Sequence, residues 1–329
     1  MHIVITGAAG FLGQRLVQRL LELGELDGRP IRRLTLIDQA EPPAIEGASV
    51  ELEALALDIS APGGLDTVLA ARPDVIYHLA AVVSSAAEAD LDLGMRVNFD
   101  ATRALLEGCR AHGLSATRLV MASSVAAYGG ELPEVLDDMT ALHPQNSYGA
   151  QKAMCELLVN DYSRRGLIDG LVLRLPTIVI RPGRPNAAAS SFASSILREP
   201  LNGEEAICSV PTELELFVMS PASVIEALIH GAAVPGDALG DFRAFMLPGI
   251  TVSVAEMLET LGEVAGEPAL ALVRHEPDPA IEAIVGSWPA RFRNDRARQL
   301  GFEGDRNFRD IVQAFMAEQA GQGGPLPPA

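Results

Sequence analysis

The chain has 329 residues, 48% of them hydrophobic, enough to bury a large core and to exclude wholesale disorder. With 43 acidic against 25 basic residues, its formal charge of −18 repels phosphate backbones and anionic lipid, so neither nucleic acid nor a membrane surface is an expected partner. Cys109, Cys155 and Cys208 have no CxxC spacing and the six histidines never pair at metal-ligand spacing, which predicts no disulfide framework, no metal and a reducing, cytoplasmic compartment.

The first strand is predicted at Ile3–Thr6, with no basic leader or small-residue cleavage site before it, and no apolar run approaches the roughly 20 residues of a membrane span. A helix follows with Leu12, Leu16, Leu20 and Leu23 on one face. Further strands are predicted at Leu34–Ile37, Ala54–Leu57, Val75–Leu79, Leu119–Ala122 and Leu171–Leu175, and helices at about Gly64–Ala71, Gly94–His112 and Tyr148–Arg165. The strand runs lack in/out alternation, as expected when both faces are covered. Strand–helix–strand repetition implies an α/β, doubly wound parallel sheet. After Pro176 the pattern becomes irregular. Arg181–Asn186 reads as loop, Phe217–Met219 and Phe242–Leu247 as strands, and Pro221–Ala233, Val254–Ala265, Asp295–Leu300 and Phe308–Glu318 as helices. The expected organisation is a nucleotide-binding domain over 1–175 to which 217–234 returns, a smaller substrate lobe from 176–216 and 235–320, and a disordered tail over 321–329.

Five groups of residues carry chemistry. Thr6-Gly7-Ala8-Ala9-Gly10-Phe11-Leu12-Gly13 follows a strand and opens a helix, so its glycines allow a tight turn and its helix N-terminus offers free N–H groups to a pyrophosphate. The spacing is GxxGxxG, and the setting marks a Rossmann-type fold. Asp38 closes the second strand, where a carboxylate holds the adenosine ribose hydroxyls and repels a ribose phosphate, favouring NAD over NADP. Asp58 and Ile59 follow the third strand, and Leu79, Ala80 and Ala81 the fourth, where small residues let a cofactor lie flat. Asn98 either holds a neighbouring backbone or joins the cofactor site. Ser123 and Ser124 follow the fifth strand, where a hydroxyl can orient a substrate oxygen. Tyr148 and Lys152, four apart, share a helix face. A free phenol, with a pKa near 10, is a weak base at neutral pH, and a neighbouring ammonium favours its ionised form. Lys152 is the chain's single lysine, every other basic residue being arginine.

In TGAAGFLG, Asp38, LAA, SSVAAYG, YGAQK and RLPT (Arg174–Thr177), the chain resembles the extended short-chain dehydrogenase/reductase family over nearly its whole length. The resemblance implies a catalytic set of Ser124, Tyr148 and Lys152, a nicotinamide carboxamide passing close to Pro176, Thr177 and Ile178, NAD as cofactor, and a homodimer pairing the two long helices. A narrower resemblance, in ARPDVIYHLAAVVS, SYGAQKAMCELLVNDYSRRG and RLPTIVIRPGRPNAAAS, is to sugar-acid dehydrogenases of the family. It implies NAD-dependent oxidation of the hydroxyl beside the carboxylate of a four-carbon sugar acid. A substrate carboxylate then needs a cation, for which Arg181 is expected first and Arg184 next, an arginine fork matching a carboxylate bidentately. Arg174, within a strand, is expected in an internal ion pair. Ser84, Ser85, Thr177 and Asn186 are the candidates for the sugar hydroxyls. The competing readings are a nucleotide-sugar epimerase or dehydratase, using the same cofactor and catalytic set, and a non-catalytic NAD-binding regulator.

Overall fold

The computed structural model describes residues 1–43, 45, 47, 50–61, 63–183 and 188–321. Among them a seven-stranded sheet runs in the order Ala244–Met246, Asp169–Leu175, Arg118–Ser124, Val75–His78, His2–Thr6, Arg33–Asp38, Glu51–Ala56. Numbered by sequence, the strands from the Glu51–Ala56 edge read 3-2-1-4-5-6-7, the doubly wound order with its reversal beside the first strand. The first strand pairs in parallel with both neighbours, Ile3 facing Leu34 on one side and Val75 on the other. The inner strands are buried along almost their whole length, as residues covered by helices on both faces must be. The edge strand Glu51–Ala56 is half exposed and offers Glu51 and Glu53 to Arg33.

All six strands expected in the first half are present. The first helix, Phe11–Leu23, buries Gly13, Leu16, Val17 and Leu20, so its packed face is rotated from the expected leucine stripe and leaves Leu23 exposed. The region expected as one helix from 94 begins with a short helix, Leu91–Gly94, widens into a π-helical turn at Met95–Asp100, and continues as Ala101–Ala111. Wide turns of this kind often mark functional positions, and Asn98 lies within this one. The expected helix at Tyr148 is Ser147–Arg164.

The chain divides into two compact units. The first comprises Met1–Ala127, Ser147–Arg174 and Ile225–Phe245; the second comprises Tyr128–Asn146, Leu175–Val224 and the described residues from Met246 on. These boundaries differ from those drawn on the sequence. Residues 128–146 leave the first unit, and the returning segment is 225–245 rather than 217–234. Glu215–Met219 belongs to a small sheet of the second unit, parallel to Thr177–Ile178 and antiparallel to Ile250–Ser253. Ala244–Met246, expected in the substrate lobe, instead forms the outer edge of the large sheet, where Val172 N donates to Arg243 O at 2.9 Å. A buried apolar triplet carries no address of its own, and here the anchors are polar. Arg118 donates to the carbonyls of Gly231 and Val234 at 2.8 and 2.7 Å, and both Arg118 and Arg243 pair with Asp169. Within the second unit, Ser191–Leu201 and Val254–Leu270 share one apolar core containing Ile196, Leu197, Met257 and Leu261. The latter helix runs past its expected end at Ala265, across a kink at Gly266. The expected tail over 321–329 lies, but for Gly321, outside the described residues, and no helix among those described is long and apolar enough to cross a membrane.

Arg174 and Glu156 form the ion pair expected of Arg174 at 2.7 Å, both side chains being 1% exposed, and Ser123 Oγ donates to the same carboxylate. Removing one partner leaves the other charge buried without its counter-charge, whereas exchanging both for apolar residues does not. Arg174→Met should therefore lower unfolding free energy by about 3–5 kcal/mol in urea titrations, and Arg174→Met/Glu156→Leu should recover most of that loss. A single variant that loses less than about 1 kcal/mol would show that the pair does not hold the sheet to the helix.

Candidate active site

The turn after the first strand is shaped by close backbone approach. Gly7 has φ +77°, and a Cβ there would stand 2.7 Å from Ala80 N. At Gly13 a Cβ would fall 2.1 Å from Gly7 O and 2.7 Å from Ala8 Cα. Both positions exclude a side chain, and the helix from Phe11 consequently begins directly against the strand end. Its first N–H groups have no acceptor within the helix, which suits them to an anionic group. Asp38 Oδ2 accepts from Ala9 N at 3.0 Å and Oδ1 from Gln39 N at 2.7 Å. Oδ1 also accepts from Ala40 N at 3.4 Å, so Oδ2 is the oxygen that keeps a further lone pair for a ribose hydroxyl. Asp58 accepts from both N and Oγ of Ser60, at 2.9 and 2.6 Å, which holds its carboxyl below the usual range.

These residues line one cleft of about 480 Å³ at the carboxyl ends of the strands, a size within the range of small-molecule sites. Gly7, Ala9, Gly10, Asp38, Asp58, Ile59, Leu79, Ala80 and Ala81 all contribute, as the sequence leads one to expect; Phe11, Leu12 and Gly13 stand at the start of the adjoining helix. The glycine cradle, the free helix terminus and the strand-end carboxylate fit a dinucleotide. The cleft also uses Gln39, Ala40, Leu57, Val82, Leu93 and Val97, which sequence reasoning missed. Their only signal is adjacency to the strand ends or to Asn98.

Asn98, placed among the cofactor residues on the sequence, is held against the backbone of Val82 and the side chain of Gln151. Oδ1 accepts from Val82 N at 2.7 Å, and Nδ2 donates to Val82 O at 3.0 Å and to Gln151 Oε1 at 2.7 Å. Both amide hydrogens are engaged in fixing the cleft wall, and Oδ1 keeps one lone pair.

Ser124 ends the strand Arg118–Ser124 and accepts from Ala126 N at 3.1 Å; Ser123, the alternative, is turned into the buried Glu156 carboxylate. Tyr148 and Lys152 lie on the first turns of Ser147–Arg164. Lys152 is 4% exposed, donates Nζ–H to Ala122 O at 2.9 Å, and stands 5.7 Å from the Tyr148 ring centroid. An ammonium keeps two more hydrogens after that bond. The first unit thus presents an exposed-edge serine hydroxyl, a phenol and a held ammonium, a set able to orient an alcohol and take its proton. Ser84 is buried at the start of the helix Ser84–Ala89.

The second unit contains the remaining expected residues. Pro176 and Thr177 are buried and Ile178 half-buried, the latter two in the short strand paired with Val218–Met219. Arg181 is half-buried and its backbone is held on both sides: N donates to Ser194 Oγ at 3.0 Å, and O accepts from Arg198 at 2.7 Å. Arg184 and Asn186 lie outside the described residues.

Residues 3–216 match the NAD dependent epimerase/dehydratase family. The chain is 50% identical over 325 residues to the D-erythronate dehydrogenase of Cupriavidus necator, covering 98% of this chain and 99% of that one. It is 48% identical over 316 residues to the D-erythronate dehydrogenase of Haemophilus influenzae, covering 96% and 99%. A crystal structure described as the nucleoside-diphosphate-sugar epimerase from Agrobacterium tumefaciens superposes with a TM-score of 0.93 at 47% identity, covering 99% of this chain and 95% of that one. Likeness of this extent, in sequence and in fold, makes the chain a member of the NAD dependent epimerase/dehydratase family.

Proposed function

We propose that the protein is an NAD-dependent dehydrogenase that oxidises the 2-hydroxyl of D-erythronate to the 2-oxo acid. The observation that carries this reading is full-length likeness, at 50% identity, to a D-erythronate dehydrogenase. NAD, when bound, supplies the two-electron acceptor for the carbon–hydrogen bond that breaks. Gly7, Ala9, Gly10, Phe11, Leu12 and Gly13 hold its pyrophosphate, Asp38 the adenosine ribose hydroxyls, and Asp58 and Ile59 the adenine side. Leu79–Ala81, Lys152 and, from the second unit, Pro176, Thr177 and Ile178 serve the nicotinamide side. Ser124 Oγ holds the reacting hydroxyl, and Tyr148 Oη takes its proton. Arg181 takes the substrate carboxylate, supported by a backbone that helix Ser191–Leu201 keeps in place; Ser84, Thr177 and Asn186 take sugar hydroxyls.

A homodimer through the long helices is supported by Met154 and Leu157, 37% and 62% exposed on Ser147–Arg164, and by Leu91, 58% exposed at the start of the other. Three free, buried cysteines support a reducing cytoplasm. A second reading, nucleotide-sugar epimerisation, is favoured by the description of the Agrobacterium tumefaciens structure.

The deciding experiment follows absorbance of NADH with NAD and a panel of four- to six-carbon sugar acids beside nucleotide sugars. NADH formation on D-erythronate, with NAD and not NADP, is the expected result. Consumption of a nucleotide sugar without net NADH, and silence on every sugar acid, overturns it in favour of the second reading. Tyr148→Phe should lower kcat by about 10²–10⁴-fold while leaving NAD affinity within about threefold, the former from steady-state kinetics and the latter from calorimetry. Turnover like the wild type would remove Tyr148 from the mechanism. Arg181→Ala should raise the KM for the sugar acid by about 10–100-fold, the worth of a charge-assisted pair, and that for NAD little. Equal changes in both constants would assign the carboxylate to another residue.

A further inference from the structure

His78 ends the strand before the Leu79–Val82 wall of the cleft and is fully buried. Its Nδ1 lies 2.8 Å from Thr6 Oγ1 and its Nε2 2.9 Å from Thr102 Oγ1. Ordinarily the tautomer of such a ring is open, but here its neighbours decide it. Thr102 Oγ1 donates its only hydrogen to Asn98 O at 2.7 Å, so towards His78 it can only accept. Nε2 therefore carries the proton. A neutral ring then has a bare Nδ1, which accepts from the Thr6 hydroxyl. Thr6 Oγ1 in turn accepts from Ala80 N at 3.4 Å. The hydrogen bonds run in one direction: Ala80 N–H to Thr6, Thr6 O–H to His78 Nδ1, His78 Nε2–H to Thr102, Thr102 O–H to Asn98 O. Protonating Nδ1 would turn a second donor on the Thr6 oxygen and orphan the Thr6 hydrogen in a buried site. Burial and the nearby Lys152 charge push the ring the same way, down to about 3.

The two ends of this chain hold the same wall. Thr6 meets Ala80, and Asn98 clamps both N and O of Val82. Thr6 is also the residue before Gly7, whose geometry depends on contact with Ala80. We propose that His78, locked in the neutral Nε2–H tautomer, is a positioning residue that sets the glycine turn and the Leu79–Val82 wall at the spacing that NAD binding requires. This rests on the cofactor reading above.

Two measurements test it. Nitrogen-15 NMR of histidine-labelled, ligand-free protein should give His78 a pyrrole-type Nε2 and a pyridine-type Nδ1, unchanged from pH 5 to 9. The opposite tautomer, or titration in that range, overturns the inference without involving NAD. Calorimetry then compares NAD affinity for wild type, Thr6→Val, His78→Phe and the double variant. Each single change should weaken binding about tenfold or more, and the double variant should be no weaker than the worse single, because both act through one chain of bonds. Unchanged affinity in folded variants, or losses that multiply, removes His78 from the role. A wild-type protein that itself shows no heat of NAD binding overturns the cofactor reading and this inference with it, whereas a wild type that binds NAD with variants of equal affinity overturns the inference alone.

Discussion

The Glu156 carboxylate and the Arg174 guanidinium meet at 2.7 Å with almost no solvent on either, and the placement of the helix that carries Tyr148 and Lys152 follows from that contact. Charges buried in this way are costly unless paired, so the helix Ser147–Arg164 and the strand Asp169–Leu175 have one relative position that satisfies both. Ser123 adds the neighbouring strand to the same carboxylate. Glu156 lies one helical turn beyond Lys152, which reaches the carbonyl of Ala122 on that strand. Tyr148 is one turn earlier. The strand Arg118–Ser124 and the helix carrying Tyr148 and Lys152 are thus tied together by buried polar contacts.

The cleft is built on a different constraint, the closeness of bare backbone. Gly7 and Gly13 let three chain segments meet where any Cβ would collide. Around this contact the side chains serve mainly to hold backbone: Asp38 binds Ala9 N, Asn98 binds Val82, and Thr6 reaches Ala80. For a chain of formal charge −18, an anion site made of helix N–H groups is physically economical. A helix N-terminus attracts an anion through local dipoles and needs no net basic surface.

The second unit organises its arginines by the same logic of buried polar support. Arg198, itself buried, holds the carbonyl of Arg181 and pairs with Glu199 at 2.5 Å. Farther along, Asn294 donates to the carbonyls of Met246 and Leu247, and Asp305 accepts from Ser220 N and Ser223 Oγ. These long-range side-chain-to-backbone bonds fasten an irregular region that has no large sheet of its own.

The strands, the glycine turn, Asp38 and the YxxxK pair were legible in the sequence because each is a local pattern. Continuous apolar runs specify covered strands, glycine spacing specifies a turn, and a separation of four specifies one helix face. Contacts between distant segments were not legible. That both amide hydrogens of Asn98 lie on Val82 and Gln151 could not be read from the sequence. Ser123 and Ser124 are adjacent and chemically identical, and only the position of Glu156 turns one inward. Ala244–Met246 looks like any short apolar run, and its place at the sheet edge depends on Arg118, Asp169 and Arg243 meeting from segments far apart. His78 carried no signal beyond its place before LAA; its tautomer is fixed by Thr6 and Thr102, which lie 72 and 24 residues away. The sequence by itself determined most of the elements, the glycine turn and the shared helix face of Tyr148 and Lys152, because propensity and spacing act over a few residues. Tertiary structure alone decided which polar groups were already engaged, because a hydrogen bond depends on direction and distance in space.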